Sequence, residues 1–183
     1  MGPGFRKDYE ALSQLKEIFP NSNISAFTAT ADKATREDIM EKLTNNNCEL
    51  VLQGFKRPNL SLSVYQKFNW KDQLLRFLSD RKGQSGIVYC LSRKNTEEVA
   101  EFLNQKGIKS IAYHAGQNQN VRKDNQNIFM TKSGIVMAAT IAFGMGIDKP
   151  DVRFVAHISL PSNMESYYQE VGRAGRDLSL IHI

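Results

Sequence analysis

Short apolar runs alternate with amphipathic stretches along this chain, and that alternation confines it to few architectures. Gly86–Cys90, Ser110–Tyr113, Ile135–Ala138 and Arg153–Ile158 have the length and character of strands, the first a buried one. Between and around them Lys71–Leu78, Asn95–Lys106, Val121–Met130 and Met164–Val171 have helical patterning. In the second of these helices Val99, Phe102 and Leu103 turn inward, Asn95 and Glu98 suit a capping box, and Gly107 stands where a C′ glycine belongs. Gly83 lies just past the end of the helix before it. Such alternation of strand and helix is the signature of βαβ units and a parallel sheet flanked by helices.

The stretch before these units is less regular. Asp8–Phe19 sets Leu12, Leu15, Ile18 and Phe19 on one helical face, with Pro20 after the stop. Ile24–Thr28 reads as a strand, Ala34–Leu43 as a helix, Asn45–Asn47 as a turn and Glu49–Leu52 as a short strand. Gly54–Asn59, with Pro58, reads as a linker, and Leu60–Gln66 as the next strand. A chain of 183 residues has room for one good domain, or one domain and part of another.

Composition excludes some classes. No apolar run approaches the roughly 20 residues needed to span a bilayer, and the opening MGPGFRKDYEAL lacks the apolar segment of a secretory signal. Cys48 and Cys90 have no second Cys or His at ligand spacing, so no metal site is expected. Cys90 closes an apolar run and reads as core, which suits a reducing, cytosolic compartment. The net charge of +5 suits a phosphate-rich partner but is too mild to decide anything alone.

Two loops stand out, Ala139–Asp151 and Gly172–Asp177. On open parallel sheets, ligands bind beyond the carboxyl ends of the strands. In the second loop Arg173 and Arg176 stand three apart with Ala174 and Gly175 between them. That spacing aims both the same way, and small residues between them admit a bulky anion. Arginine forks fit phosphate oxygens. A solvated basic helix end would show the same spacing.

Neighbouring motifs separate these readings. Ser166-Tyr167-Tyr168-Gln169-Glu170-Val171-Gly172-Arg173-Ala174-Gly175-Arg176-Asp177 resembles the last helicase motif of the RecQ family. Ala139 to Val155, with Phe143-Gly144-Met145-Gly146-Ile147 at its centre, resembles the motif before it. Ser85–Cys90 and Ala112–Gly116 are similar to the two upstream motifs. Phe27–Ala31 resembles the coupling motif ending the first lobe, and Phe55–Asn59 the inter-lobe segment. The order is right, and the resemblance covers about residues 5 to 177.

The resemblance implies a RecA-like α/β fold: 1–53 as the end of a first motor lobe, 54–59 as linker, 60–177 as the second lobe and 178–183 as an atypical, non-native-looking tail. It implies an ATP-dependent helicase moving 3′ to 5′ on single-stranded and branched DNA, acting in recombination and repair. Its place would be the bacterial cytoplasm at the nucleoid, or a eukaryotic nucleus. Arg173, Arg176 and Gln169 would serve catalysis; Asp148 and Gly146, with the arginines, would line the nucleotide side. Thr140, Ser92, Arg93 and His114 would contact DNA, and Thr28 and Thr30 would couple nucleotide state to lobe movement. Outside that resemblance, His114 equally suits a strand-end histidine satisfied by backbone, Tyr167 and Tyr168 suit packing, and the two threonines suit any strand.

No Gly-x4-Gly-Lys-Ser/Thr phosphate loop occurs, and no Asp-Glu pair follows an apolar strand to hold magnesium. The family carries both in its first lobe, and Phe5–Tyr9 resembles the tail of its DNA-sensing loop. The expectation is a fragment cut at both ends, without the family's zinc module and inactive alone as an ATPase. The rival readings are a non-catalytic nucleic-acid or protein docking module built from a helicase lobe, and an RNA helicase of the same superfamily. The Phe143–Ile147 phrase argues against the latter.

Overall fold

The computed structural model describes residues 11–28, 31–52, 57–143, 147–176 and 181–182. Contacts divide the chain into two units, Met1–Phe55 and Lys56–Ile183.

The first unit holds a 3₁₀ turn, Ala11–Gln14, a single helical turn α1, Leu15–Ile18, and helix α2, Lys33–Thr44. Helix α2 begins where the Asp32 carboxylate accepts the Thr35 N–H at 2.8 Å. It ends where Asn45 and Asn46 take positive φ of 49° and 60° and return their N–H groups to Glu41 and Met40, as the expected turn requires. Neither helix buries a residue. The expected helix over Asp8–Phe19 is a correction: residues 8–10 lie outside the described residues, the rest is the 3₁₀ turn and α1, and Ile18 and Phe19 are exposed. Ile24–Thr28 and Glu49–Leu52 are likewise not strands. Phe27 is 94% exposed. Alternating character makes a strand only when a neighbour takes up its N–H and C=O groups, and neither segment finds one among the described residues.

The second unit is a six-stranded sheet in the order β1-β6-β5-β2-β4-β3, every pairing parallel. The strands are β1 Leu60–Ser61, β2 Ser85–Tyr89, β3 Ser110–Tyr113, β4 Val136–Ala139, β5 Val152–His157 and β6 Ile181–His182. Expected boundaries for β2 to β5 agree to within a residue. Leu60–Gln66 is the exception: the strand stops at Ser61, and beyond it Leu62, Val64 and Tyr65 are exposed. Of the expected tail, β6 belongs to the sheet, while 178–180 and 183 lie outside the described residues.

Side chains alternate across the buried strands, so the sheet carries two cores. On one face Ile87, Tyr89, Met137, Ala139 and Val155 pack with Phe129 of helix α5, Gln119–Thr131, and Val171 of helix α6, Met164–Val171. On the other, Val88, Cys90, Val136, Ala138 and Phe154 pack with Leu74 and Leu78 of helix α3, Trp70–Ser79, and Val99, Ala100 and Leu103 of helix α4, Arg93–Gln105. The parallel α/β fold is therefore as expected, with helices on both faces. Cys90 is buried, Cys48 exposed. Helix α4 starts earlier than the capping box proposed: its cap is Ser92, whose Oγ accepts the Asn95 N–H at 3.1 Å. Gly107 follows that helix with φ +76°, a conformation side chains resist. No helix among the described residues is long and apolar enough to cross a membrane.

Candidate functional site

Helix α6 delivers the arginine turn. Its N-cap Asn163 accepts the Ser166 N–H at 2.8 Å, and its inward stripe ends in buried Glu170 and Val171. Beyond it Gly172 returns its N–H to Tyr168 O, Ala174 is fully buried, and Gly175 takes φ +64°. Ala174 thus anchors the turn in the core between the two arginines.

The turn is also held from outside. The Gly175 N–H donates to Val152 O at the start of β5. The Gly175 carbonyl accepts from Arg57 Nη2 at 2.9 Å and from Asn59 Nδ2 at 3.0 Å, and the Ala174 carbonyl accepts from Arg57 Nη2 at 3.2 Å. Two residues of the proposed linker therefore clamp the backbone of the arginine loop.

Among the residues assigned to the nucleotide side, Arg176 Nη1 meets Asp148 Oδ1 at 2.6 Å across 28 residues of sequence. The pair is largely exposed, 38% and 79% by side chain, so it contributes at most about 1 kcal/mol and leaves the guanidinium exchangeable. Arg173 lies inward, against the Tyr89 hydroxyl. Burial pushes that phenol up to about 12, with the Arg173 charge opposing the shift. Gln169 is exposed and donates to Glu165 one turn back, at 3.4 Å. Gly146 and Thr30 lie outside the described residues. Thr28, in the first unit, is exposed.

The residues assigned to DNA follow the carboxyl ends of three adjacent strands. Ser92 and Arg93 come after β2, His114 after β3 and Thr140 after β4. Arg93 lies across Gly116, where a β-carbon would sit 2.8 Å from its Cδ. Thr140 N–H donates to Tyr113 O at 3.2 Å, stitching β4 to β3. His114 differs from the other three: it is 5% exposed, and its imidazole is held by Glu97 of α4 at 3.0 Å, a side-chain partner rather than the backbone.

Two features escaped the sequence reading. Buried Lys149 reaches Asp151 at 2.7 Å and Lys132 O at 3.2 Å, fixing the long loop before β5. Burial alone would raise the Asp151 carboxyl, but hydrogen bonding and charge from Lys149 hold it below the usual carboxylate range. The other is His157, the last residue of β5, paired with Glu170 at 2.7 Å. The signal was a carboxylate on the inward stripe of α6, beside Tyr167 and Val171. Among the described residues no group of three or more His, Cys, Asp or Glu could hold a metal.

Residues 66–177 match the family described as Helicase conserved C-terminal domain. The chain is 48% identical over 176 residues to the ATP-dependent DNA helicase RecQ of Pasteurella multocida, covering 96% of this chain and 28% of that protein. It is 42% identical over 181 residues to the mouse ATP-dependent DNA helicase Q1, again covering 28% of the relative. Among solved structures it resembles the DEAD-box helicase Mss116 bound to single-stranded RNA, with TM-score 0.71 and 21% identity over 99% of this chain and 40% of that one. It also resembles Dbp5 of S. cerevisiae bound to RNA, with TM-score 0.69 and 20% identity over 98% and 49% of the two chains. Likeness at that identity speaks for the fold alone.

Proposed function

Because this chain belongs to the helicase conserved C-terminal domain family, among the RecQ helicases, we propose that it works as a nucleotide-facing motor lobe of an ATP-dependent DNA helicase. In this reading residues 60–177 are the second lobe, 54–59 the hinge segment and 1–53 the end of the first lobe. The motor moves 3′ to 5′ on single-stranded and branched DNA, in recombination and repair, wherever the genome lies. The phosphate loop and magnesium ligands come from other residues of the motor, so this segment alone does not hydrolyse ATP.

The observation that carries the reading is the meeting of Arg176 with Asp148 on a turn that also bears Arg173. A guanidinium at the surface, paired with an exposed carboxylate, can exchange that partner for a phosphate. A turn anchored by buried Ala174 and clamped by Arg57 and Asn59 gives both arginines a fixed origin. Preorganised cations of this kind act where charge develops on the phosphoryl group being transferred. DNA lies along the exposed ends after β2 and β4, at Ser92, Arg93 and Thr140, with His114 supporting that edge from beneath.

The test is steady-state ATPase and DNA anisotropy on the full-length protein carrying this segment. Arg173→Ala and Arg176→Ala are each expected to cut turnover by about 10³-fold or more, as arginines supplied to a transferring phosphoryl group do elsewhere. ATP affinity and single-strand binding should change little. Arg→Lys should rescue poorly, since an ammonium keeps the charge and loses the fork. Near-parental turnover with collapsed DNA binding would make the pair a DNA-contacting patch. Full-length protein without DNA-stimulated hydrolysis would favour a docking module.

A further inference from the structure

The His157–Glu170 pair has no part in that reading, yet it is among the least exposed polar contacts of the second unit. Its side chains are 10% and 8% exposed, and His157 Nε2 stands 2.7 Å from Glu170 Oε2. A carboxylate only accepts hydrogen bonds, so the imidazole Nε2–H is the donor. Two aromatic rings hold the imidazole. Tyr89 stacks on it at 5.4 Å between centroids and 19° between planes, and Tyr167 flanks it at 5.7 Å. The Tyr89 hydroxyl in turn donates to Phe143 O at 3.2 Å.

Glu170 is also the residue from which the arginine turn departs. The Arg173 N–H donates to the Glu170 carbonyl at 3.3 Å, and the Arg173 side chain lies against Tyr89. One polar cluster therefore joins the carboxyl ends of β2 and β5, the loop after β4, the last turn of α6 and Arg173. Burying a carboxylate is expensive, and an apolar pair of similar volume would serve stability as well or better. What the hydrogen-bonded pair adds is direction: it fixes one rotation of the last turn of α6 against the sheet.

We propose that His157 and Glu170 are positioning residues for Arg173, setting its guanidinium at the angle and depth at which it meets the transferring phosphoryl group. The inference rests on the nucleotide-facing reading of Arg173. Neither His157 nor Glu170 touches the nucleotide; they act through the backbone of residues 170–173 and through Tyr89.

The experiment uses the full-length protein carrying this segment, with His157→Ala, His157→Gln, Glu170→Gln and Arg173→Ala made side by side. Kinetic constants for DNA-stimulated ATP hydrolysis, single-strand affinity and thermal unfolding are measured on each. A misplacement of about an ångström costs on the order of 10²-fold in rate, so His157→Ala should lose kcat on that scale. Its KM for ATP and its DNA affinity should stay within about three-fold of the parent. His157→Gln, whose amide N–H can take the place of the imidazole donor, should recover most of the loss.

Parental kcat in a folded His157→Ala overturns the inference. So does a loss in which kcat, KM and DNA affinity fall together in step with unfolding temperature, or a failure of His157→Gln to rescue. If His157→Ala does not fold, His157→Gln and Glu170→Gln decide: a folded Glu170→Gln with parental kcat overturns the inference, and reduced kcat at unchanged KM supports it. The Arg173→Ala arm separates the two levels. Turnover unaffected there removes the nucleotide-facing reading itself; turnover lost there but kept in the His157 and Glu170 variants removes only the positioning pair.

Discussion

Gly86 has no room for a side chain. A β-carbon there would overlap the ring of Phe154, its register partner on β5, and the β2–β5 ladder shifts register at this step. Gly86→Val should therefore destabilise the second unit by about 1–3 kcal/mol through overpacking, read as a lower denaturant midpoint at unchanged slope. The two cysteines make a second residue-level test. Burial pushes the Cys90 thiol up to about 12, while Cys48 is exposed. One thiol should react with a disulfide reagent in the native protein and two in denaturant. The same shift has a pH consequence. A thiol raised from 9.0 to about 12 keeps its proton longer folded than unfolded, so its contribution is complete below pH 9 and lost as pH rises towards 12. Tyr89, raised from 10.0 to about 12, acts in the same direction. The denaturation midpoint should fall between pH 9 and 11, and fall less in Cys90→Ala than in the parent.

At the scale of elements, Ser92 has two duties that one substitution can separate. Its hydroxyl caps α4, and it stands at the strand end assigned to DNA. Ser92→Ala should cost about 1 kcal/mol of stability. Ser92→Asp keeps an acceptor at the cap and suits the helix dipole, so stability should hold while a phosphate partner is repelled. Single-strand affinity falling in the aspartate variant alone, with equal melting temperatures, separates capping from contact. Elements also mark where sequence was legible. Strands β2 and β4 were readable because both faces are buried, which leaves an unbroken apolar run. Ile24–Thr28 and Glu49–Leu52 carry similar residues and form no strand, since pairing is a property of two segments and composition of one. The site divides the same way. Arg173 and Arg176 were visible as a local pattern. The Asp148 partner of Arg176, the His157 partner of Glu170 and the Arg57 clamp lie 28, 13 and more than 100 residues away, where no local periodicity reaches.

Across the whole molecule the two units differ in how much they bury. The second has two sheet-centred cores, whereas neither helix of the first buries a residue and Ile18, Phe19, Phe27 and Val51 are exposed. Local opening is easiest where buried apolar contacts are fewest. Limited proteolysis should remove the first unit and leave a resistant core beginning near residues 54–60, identified by N-terminal sequencing and mass. Equal protection of residues 11–52 would show that the first unit is stable by itself.

The bond from Arg57 to the Gly175 carbonyl spans 118 residues. On a ribosome delivering about 5–20 residues per second, the two partners emerge roughly 6–24 s apart. Strands β2 to β5 and helices α3 to α5 are synthesised before then, yet the arginine turn lacks its anchor in Ala174 until the end of that interval. A nascent chain would therefore hold most of the sheet while the arginine turn is still unfinished, so that the scaffold precedes the corner proposed above to meet phosphate.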